Sequence, residues 1–306
     1  MGALHDGHLS LIRAAARENT DVFVSIFVNP TQFGVNEDLA AYPRTWDSDM
    51  AQLQELNREF SLKLDGTKGE ITGIFAPTVE TMYPTLPPSS ETDGNGSFIL
   101  ITPLGRKLEG NSRPVFFRGV ATVCAKLFNI VQPERVYFGQ KDIQQSVLIR
   151  RMVTDFHVPT DVRVVPTSRE VDGLAMSSRN VQLGERRRPH ATVLYKALKA
   201  AETAYLSGEN SANVILARAQ EAVEEHVLFL AKEKKLPLKE ITPFKIDYIS
   251  LTDPFEMDEI EGDVDPKVGG ILSGAVYILP VMEPKTDEER ALMPVRLIDN
   301  IILPPR

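Results

Sequence analysis

The sequence predicts an α/β fold: a Rossmann-like doubly wound parallel sheet over residues 1–182, followed by a smaller α+β domain over residues 183–306. Two observations carry this. Helical and strand periodicities alternate through the first part, the pattern of a parallel sheet covered by helices. After residue 182 long amphipathic stripes come first and strands cluster at the end.

In chain order, Leu9, Leu11, Ile12, Ala15 and Ala16 recur at helical spacing over 10–19, and the β-branched run 22–28 reads as a buried strand stopped by Asn29 and Pro30. A helix is expected over 42–58 and a brief strand over 74–77, with polar 63–73 between them as a surface excursion. Residues 84–96 (PTLPPSSETDGNG) are rich in turn formers and read as a loop insertion. Helix 118–131, strand 136–138, helix 144–156 and strand 162–165 complete the alternation, with functional loops expected at the carboxyl ends of the strands. In the second part, helices are expected over 190–205 and 214–232, and strands over 244–249, 275–281 and 295–303.

The composition is that of a globular chain, with 42% hydrophobic and 25% charged residues. One cysteine, Cys124, cannot close an internal disulfide, and Met1 leads straight into Gly-Ala-Leu-His rather than a leader peptide, so the cytoplasm is the expected location. A net charge of −8 argues against a broad nucleic-acid or membrane surface, and the longest apolar runs are far short of a membrane span.

Two constellations carry chemistry. His5 and His8, in His-Asp-Gly-His, stand three apart at a helix start, where both rings share one face near free backbone N–H groups and the positive dipole end. Such a place suits polyphosphate, with imidazoles donating to transition-state oxygens. A bare HxxH is more often a polar helix start. Far along the chain, Met176-Ser177-Ser178-Arg179 puts two small hydroxyls and a guanidinium in a loop suited to phosphate oxygens; alone, it is equally well a serine helix cap beside a solvated arginine.

The pair resembles the HIGH and KMSKS signatures of the adenylate-forming nucleotidyltransferases. MGALHDGH, SIFVNPTQFG, DLAAYPRT, LEGNSRP, FRGVATV, YFGQKD and DGLAMSSRN, in that order, are similar to the pantoate–β-alanine ligase family. That resemblance implies condensation of pantoate with β-alanine by way of a pantoyl adenylate, with ATP as co-substrate and AMP and pyrophosphate released. It also implies a homodimer, a second domain acting as a lid, no nucleic-acid or membrane partner, and Mg2+ arriving with ATP rather than in a protein-built metal site.

Residue by residue, the resemblance places ATP against Met1, Gly2, His5, His8, Gly139, Lys141, Asp142, Met176, Ser177, Ser178 and Arg179. His8, His5, Lys141 and Arg179 are the catalytic candidates; the family's proton-donor role falls on His8, although beside a triphosphate an imidazole stabilises charge. Asp142 would accept from the ribose hydroxyls. Gln32 and Gln145 match pantoate ligands, with Asn29 a further candidate; neutral amides donate and accept without tying up the attacking carboxylate. Asp49 and Gln52 match acidic-region positions but read equally well as an exposed helix face.

Two departures stand out. Relatives commonly carry histidine where this chain has Phe116, which leaves Arg113 or a backbone group to receive the β-alanine amine. Relatives also have a strand before the Met-Gly of the first motif. Its lack predicts a first domain with its first strand missing, so that the 306-residue product folds poorly or is inactive without upstream residues. Three other readings compete. A nucleotidyltransferase that stops at the nucleotidyl product calls for a more cationic acceptor pocket. A non-catalytic relative predicts lost ligands. An aminoacyl-tRNA synthetase is disfavoured by the acidic charge and the lack of an anticodon-type domain.

Overall fold

The computed structural model describes residues 1–35, 39–40, 42–62, 66–85, 89, 91–92, 94–233 and 244–306. Parts of the two expected insertions, 63–65, 86–88, 90 and 93, lie outside these. The chain divides into two compact units, Met1–Ser168 and Arg169–Arg306.

The first unit alternates as expected. Helix α1 (Asp6–Glu18) is followed by β1 (Asp21–Ser25), α2 (Trp46–Ser61) and β2 (Glu70–Phe75). Short helices α3 (Val79–Met82) and α4 (Glu109–Ser112) precede α5 (Phe116–Val131), β3 (Arg135–Gly139), α6 (Ile143–Asp155) and β4 (Asp161–Val165). β1 pairs with β2 and β3 with β4, both parallel, as separate two-stranded sheets. Strand β2 begins at Glu70, so the expected excursion over 63–73 is partly sheet. Nor is β1 buried throughout: Val22 and Val24 face the core while Phe23 is 59% exposed, the alternation of a strand covered on one side.

Helix α1 buries Leu9, Leu11, Ile12, Ala15 and Ala16. Leu9, Ile12, Ala15 and Ala16 join Val22, Val24, Leu53, Leu56 and Phe60 in one core cluster. Its C-cap, Asn19, donates through Nδ2 to Ala15 O at 2.8 Å and to the Tyr137 hydroxyl at 2.7 Å, which ties the end of α1 to β3. Just beyond β1 the backbone bonds to both sides: Ile26 N–H reaches Phe75 O beside β2, and Phe27 N–H reaches Met1 O at 3.0 Å on the opposite edge. Helix α5 buries Cys124, and burial pushes its thiol up to about 12.

The second unit holds α7 (Gly184–Arg187), α8 (Val193–Leu206), α9 (Ala212–Glu233), β5 (Phe244–Thr252), β6 (Gly270–Ile278), α10 (Asp287–Ala291) and β7 (Val295–Leu303). The strands form one antiparallel sheet in the order β5-β6-β7, with β6 starting at Gly270 rather than at the expected Ala275. The α8 stripe Val193, Leu194, Ala197, Leu198, Ala201 and Tyr205 is buried in the core with Leu272, Val276 and Leu297.

The boundary falls at 168/169, not at 182/183 as expected. Leu174 and Leu183 belong to the core of the second unit, and Arg169 makes a two-pronged pair with the buried Asp299 of β7 at 2.6 and 2.9 Å. Those contacts carry 169–183 into the second unit.

Candidate active site

In the first unit the site begins at the start of α1. His5 is the N-cap: its Nδ1 accepts the Gly7 N–H at 3.1 Å, which leaves the ring proton of neutral His5 on Nε2. His8 follows one turn later, its ring 4.0 Å from that of His5 and tilted by 37°. The His8 Nδ1 is buried without a hydrogen-bond partner among the described residues. A buried lone pair costs less than a buried N–H, so the proton of His8 also belongs on Nε2. Burial first, then the neighbouring His5, pushes His8 down to about 2; burial and then Lys141 lower His5 as well. The site therefore presents two neutral imidazoles at a helix N-terminus whose dipole favours anions.

This has a measurable consequence. An unfolded histidine protonates near pH 6.5. Folded His8 stays neutral down to about 2. Below about pH 6.5 the unfolded state thus binds the extra proton, and stability falls with falling pH by up to about 1.4 kcal/mol per pH unit for this group. Urea midpoints between pH 7 and 5 should show that slope, and His8→Asn should reduce it. Equal slopes in the two proteins would refute a buried neutral His8.

The segment leading into the histidines is held from α2. Asp49, which reads equally well as a match to the family's acidic region or as an exposed helix face, is 1% exposed. Its Oδ1 accepts from Leu4 N–H at 2.8 Å and the Thr45 hydroxyl at 2.9 Å, and its Oδ2 accepts from Ala3 N–H at 3.0 Å. Gln52 Nε2 donates to Leu4 O at 3.4 Å. Ala3 has φ +49, a left-handed backbone that costs a residue with a Cβ about 1–2 kcal/mol.

Lys141 and Asp142 sit on a 3-10 turn after β3, with Lys141 Nζ 3.5 Å from Asp142 Oδ2. Gly139 has open space where a side chain would stand. After burial, the positive charge of Lys141 is a further cause that lowers both histidines.

The amide candidates stand on a second set of supports. Asn29 caps the turn Pro30–Gln32. Its Oδ1 accepts from the Tyr83 hydroxyl at 2.6 Å and the Thr31 hydroxyl at 3.1 Å, and its Nδ2 donates to Gln32 Oε1 at 3.0 Å and Gly119 O at 3.3 Å. These bonds set the Asn29 amide against that of Gln32. Gly119 lets the turn sit directly on α5: a Cβ there would lie 2.3 Å from Thr31 O and 2.8 Å from Gln32 N. On α6, Gln144 is consumed by Glu109 N–H, Leu104 O and Lys107 O, whereas half-buried Gln145 makes no side-chain hydrogen bond among the described residues. Arg113 lies 4.0 Å over the Phe116 ring and donates to Gln32 O at 3.1 Å. The aromatic ring in place of histidine thus gives Arg113 a platform.

In the second unit, Ser177 caps the 3-10 turn Ser178–Gln182, its Oγ accepting from Arg179 N–H at 3.2 Å. Met176, Ser178 and Arg179 are half-buried beside it. The loop is braced: Arg188 pairs with Glu170 at 2.5 Å and Asp172 at 2.7 Å, and Asn180 Nδ2 bonds Glu170 Oε1 at 3.2 Å and Ala175 O at 3.1 Å. Gly173, at φ +93, permits the tight turn, since a Cβ would meet the Tyr195 ring at 2.1 Å.

Parallel strand pairs, a histidine pair at a helix start and amide side chains on adjoining turns define an α/β enzyme of the nucleotide-activating kind. The family model described as Pantoate-beta-alanine ligase matches residues 1–302. The chain belongs to that family. It is 41% identical over 303 residues to the pantothenate synthetase of Chloroflexus aggregans, covering 99% of this chain and 91% of the relative. The crystal structure of the Thermus thermophilus pantothenate synthetase superposes with a TM-score of 0.75 at 38% identity, covering 100% of this chain and 91% of that one. The Francisella tularensis pantoate-beta-alanine ligase, solved in complex with beta-gamma ATP and beta-alanine, gives a TM-score of 0.66 at 30% identity over 99% and 87% of the two chains. Among the described residues no helix is long and apolar enough to cross a membrane.

Proposed function

We propose that this chain condenses pantoate with β-alanine in two steps at the expense of ATP. The observation that carries the reading is the His5–His8 ring pair, 4.0 Å apart at the start of α1, kept neutral by burial and within reach of the Lys141 charge. In the first step a pantoate carboxylate oxygen attacks the α-phosphorus of ATP and pyrophosphate leaves. The Nε2–H groups of His5 and His8 donate to the phosphate oxygens as charge builds, and Lys141 neutralises it. Asp142 accepts from the ribose hydroxyls, and Met1, Gly2 and Gly139 line the nucleotide with backbone. In the second step the β-alanine amine attacks the acyl carbon, and AMP leaves with the bonding electrons.

Gln32 and Gln145 hold pantoate through its hydroxyl and carboxylate groups, with Asn29 fixing the angle of Gln32. Arg113, stacked on Phe116, is assigned to the β-alanine carboxylate. Met176, Ser177, Ser178 and Arg179 are assigned to ATP phosphates on the family resemblance. Two imidazoles and an ammonium are not the oxygen donors Mg2+ prefers, so magnesium would enter on the ATP phosphates with much of its water. The resemblance further assigns a cytoplasmic homodimer, a state sedimentation would test.

The test supplies ATP, pantoate and β-alanine and measures pantothenate and AMP together, with equal yields expected. His8→Ala should reduce pantoate-dependent ATP–pyrophosphate exchange by at least about 100-fold with the fold retained by circular dichroism. Unchanged exchange in this variant would sink the phosphate-site reading.

A further inference from the structure

The segment that delivers the two histidines carries a conformational demand that its own sequence does not meet. Ala3 is held at φ +49, where alanine is disfavoured and glycine is not. Immediately before it, Met1 O is bonded to Phe27 N–H beside β1; immediately after it, His5 caps α1. The left-handed residue is the corner between these two anchors. Of its two flanking peptide groups, the Ala3 N–H and the Leu4 N–H both end on one carboxylate, that of Asp49, and Leu4 O is taken by Gln52 three residues further along α2.

A carboxylate at 1% exposure must be compensated, and here the compensation comes largely from backbone N–H groups of the corner itself. We infer that Asp49 is a positioning residue for the chemistry: it clamps Ala3 in the left-handed conformation and so fixes where the His5 and His8 rings stand. The effect on activity rests on the function proposed above; the effect on ring position does not.

An asparagine at position 49 keeps one acceptor oxygen but turns an N–H donor toward the second backbone N–H, releasing half of the clamp. Asp49→Asn should slow single-turnover pyrophosphate release by at least about 10-fold, because small misplacements of catalytic groups cost one to two orders of magnitude. The KM for pantoate should stay within about twofold, since Gln32 and Gln145 stand on other supports. Adding Ala3→Gly should recover at least a third of the lost rate, as glycine adopts the corner unheld. A purely structural role would lower the melting temperature without that rescue. The same comparison can be made without turnover. In carbon–proton correlation spectra the ring Cε1–H signals of His5 and His8 should shift in Asp49→Asn and move back in the double variant.

Wild-type rate and unshifted signals in Asp49→Asn would overturn the proposal, as would a folded double variant no faster than the single one. Should Asp49→Asn fail to fold, Ala3→Val strains the same corner with Asp49 intact; it should lose rate by a similar factor, and wild-type rate there overturns the proposal. A wild-type enzyme that makes no adenylate would sink the activity reading, while the histidine signals would still decide the role of Asp49.

Discussion

Gly119→Ala is expected to raise the KM for pantoate by about 10- to 100-fold while leaving the KM for ATP nearly unchanged, because a 1 Å displacement of a substrate-positioning group costs about that much. The added methyl would fall 2.3 Å from Thr31 O and 2.8 Å from Gln32 N. Both are backbone atoms, so no side chain can swing aside. The turn Pro30–Gln32 must instead lift off α5, stretching the Asn29 bond to Gly119 O and carrying the Gln32 amide with it. Overpacking of this kind also destabilises by about 1–3 kcal/mol, so a lower melting temperature should accompany the effect. Steady-state kinetics with each substrate varied in turn separates the two contributions. A pantoate KM at the wild-type value would dissociate the Gln32 turn from acid binding.

Arg187→Met is expected to destabilise the second unit by about 3–5 kcal/mol, because several backbone acceptors lose a donor at about 1–3 kcal/mol each where they are buried. Arg187 is fully buried, yet its guanidinium reaches four backbone carbonyls: Leu183 O and Met293 O at 2.8 Å, Gln182 O, and Ile278 O at 3.5 Å. Those carbonyls belong to the approach to α7, the end of β6 and the approach to β7, so one side chain satisfies three separated chain segments. Methionine keeps the volume and removes every donor, leaving the acceptors dry and unpaired. The readout is the urea midpoint. A shift equal to that of a surface Arg218→Met control would show the carbonyl network to be energetically idle.

The elements that were legible in the sequence are those whose signal is local. The stripe of α1 and that of α8 could be read because helical spacing reports a face directly, whereas His5 and His8, a weak signal alone, gain weight only with the distant Met176-Ser177-Ser178-Arg179 loop. Asp49 matches the family's acidic region, but its place in the fold is not legible. On the α2 pattern it occupies a polar position, and its burial depends on backbone donors 45 and 46 residues away. Gly119 could have been suspected, since an isolated glycine inside a helical pattern signals close packing, but what it packs against lies in a distant turn. The run Arg186-Arg187-Arg188 reads as a solvated basic cluster; only the fold reveals that its middle member is in the core and its last braces the loop of Ser177. The amide pair divides in the same way: the family resemblance singles out Gln145, and the bonds of Gln144 to segment 104–109 show that its neighbour is used up in packing.

The burial of Cys124 has a practical bearing on how motion in this protein can be followed. The chain has one cysteine, and its thiol, pushed up to about 12, is protonated at any working pH and closed off from reagents. A cysteine introduced at an exposed position would therefore be the single reactive thiol in the native protein. Fluorophores or spin labels could be attached to either unit in the wild-type background, without first deleting a residue from the helix that supports the Gln32 turn.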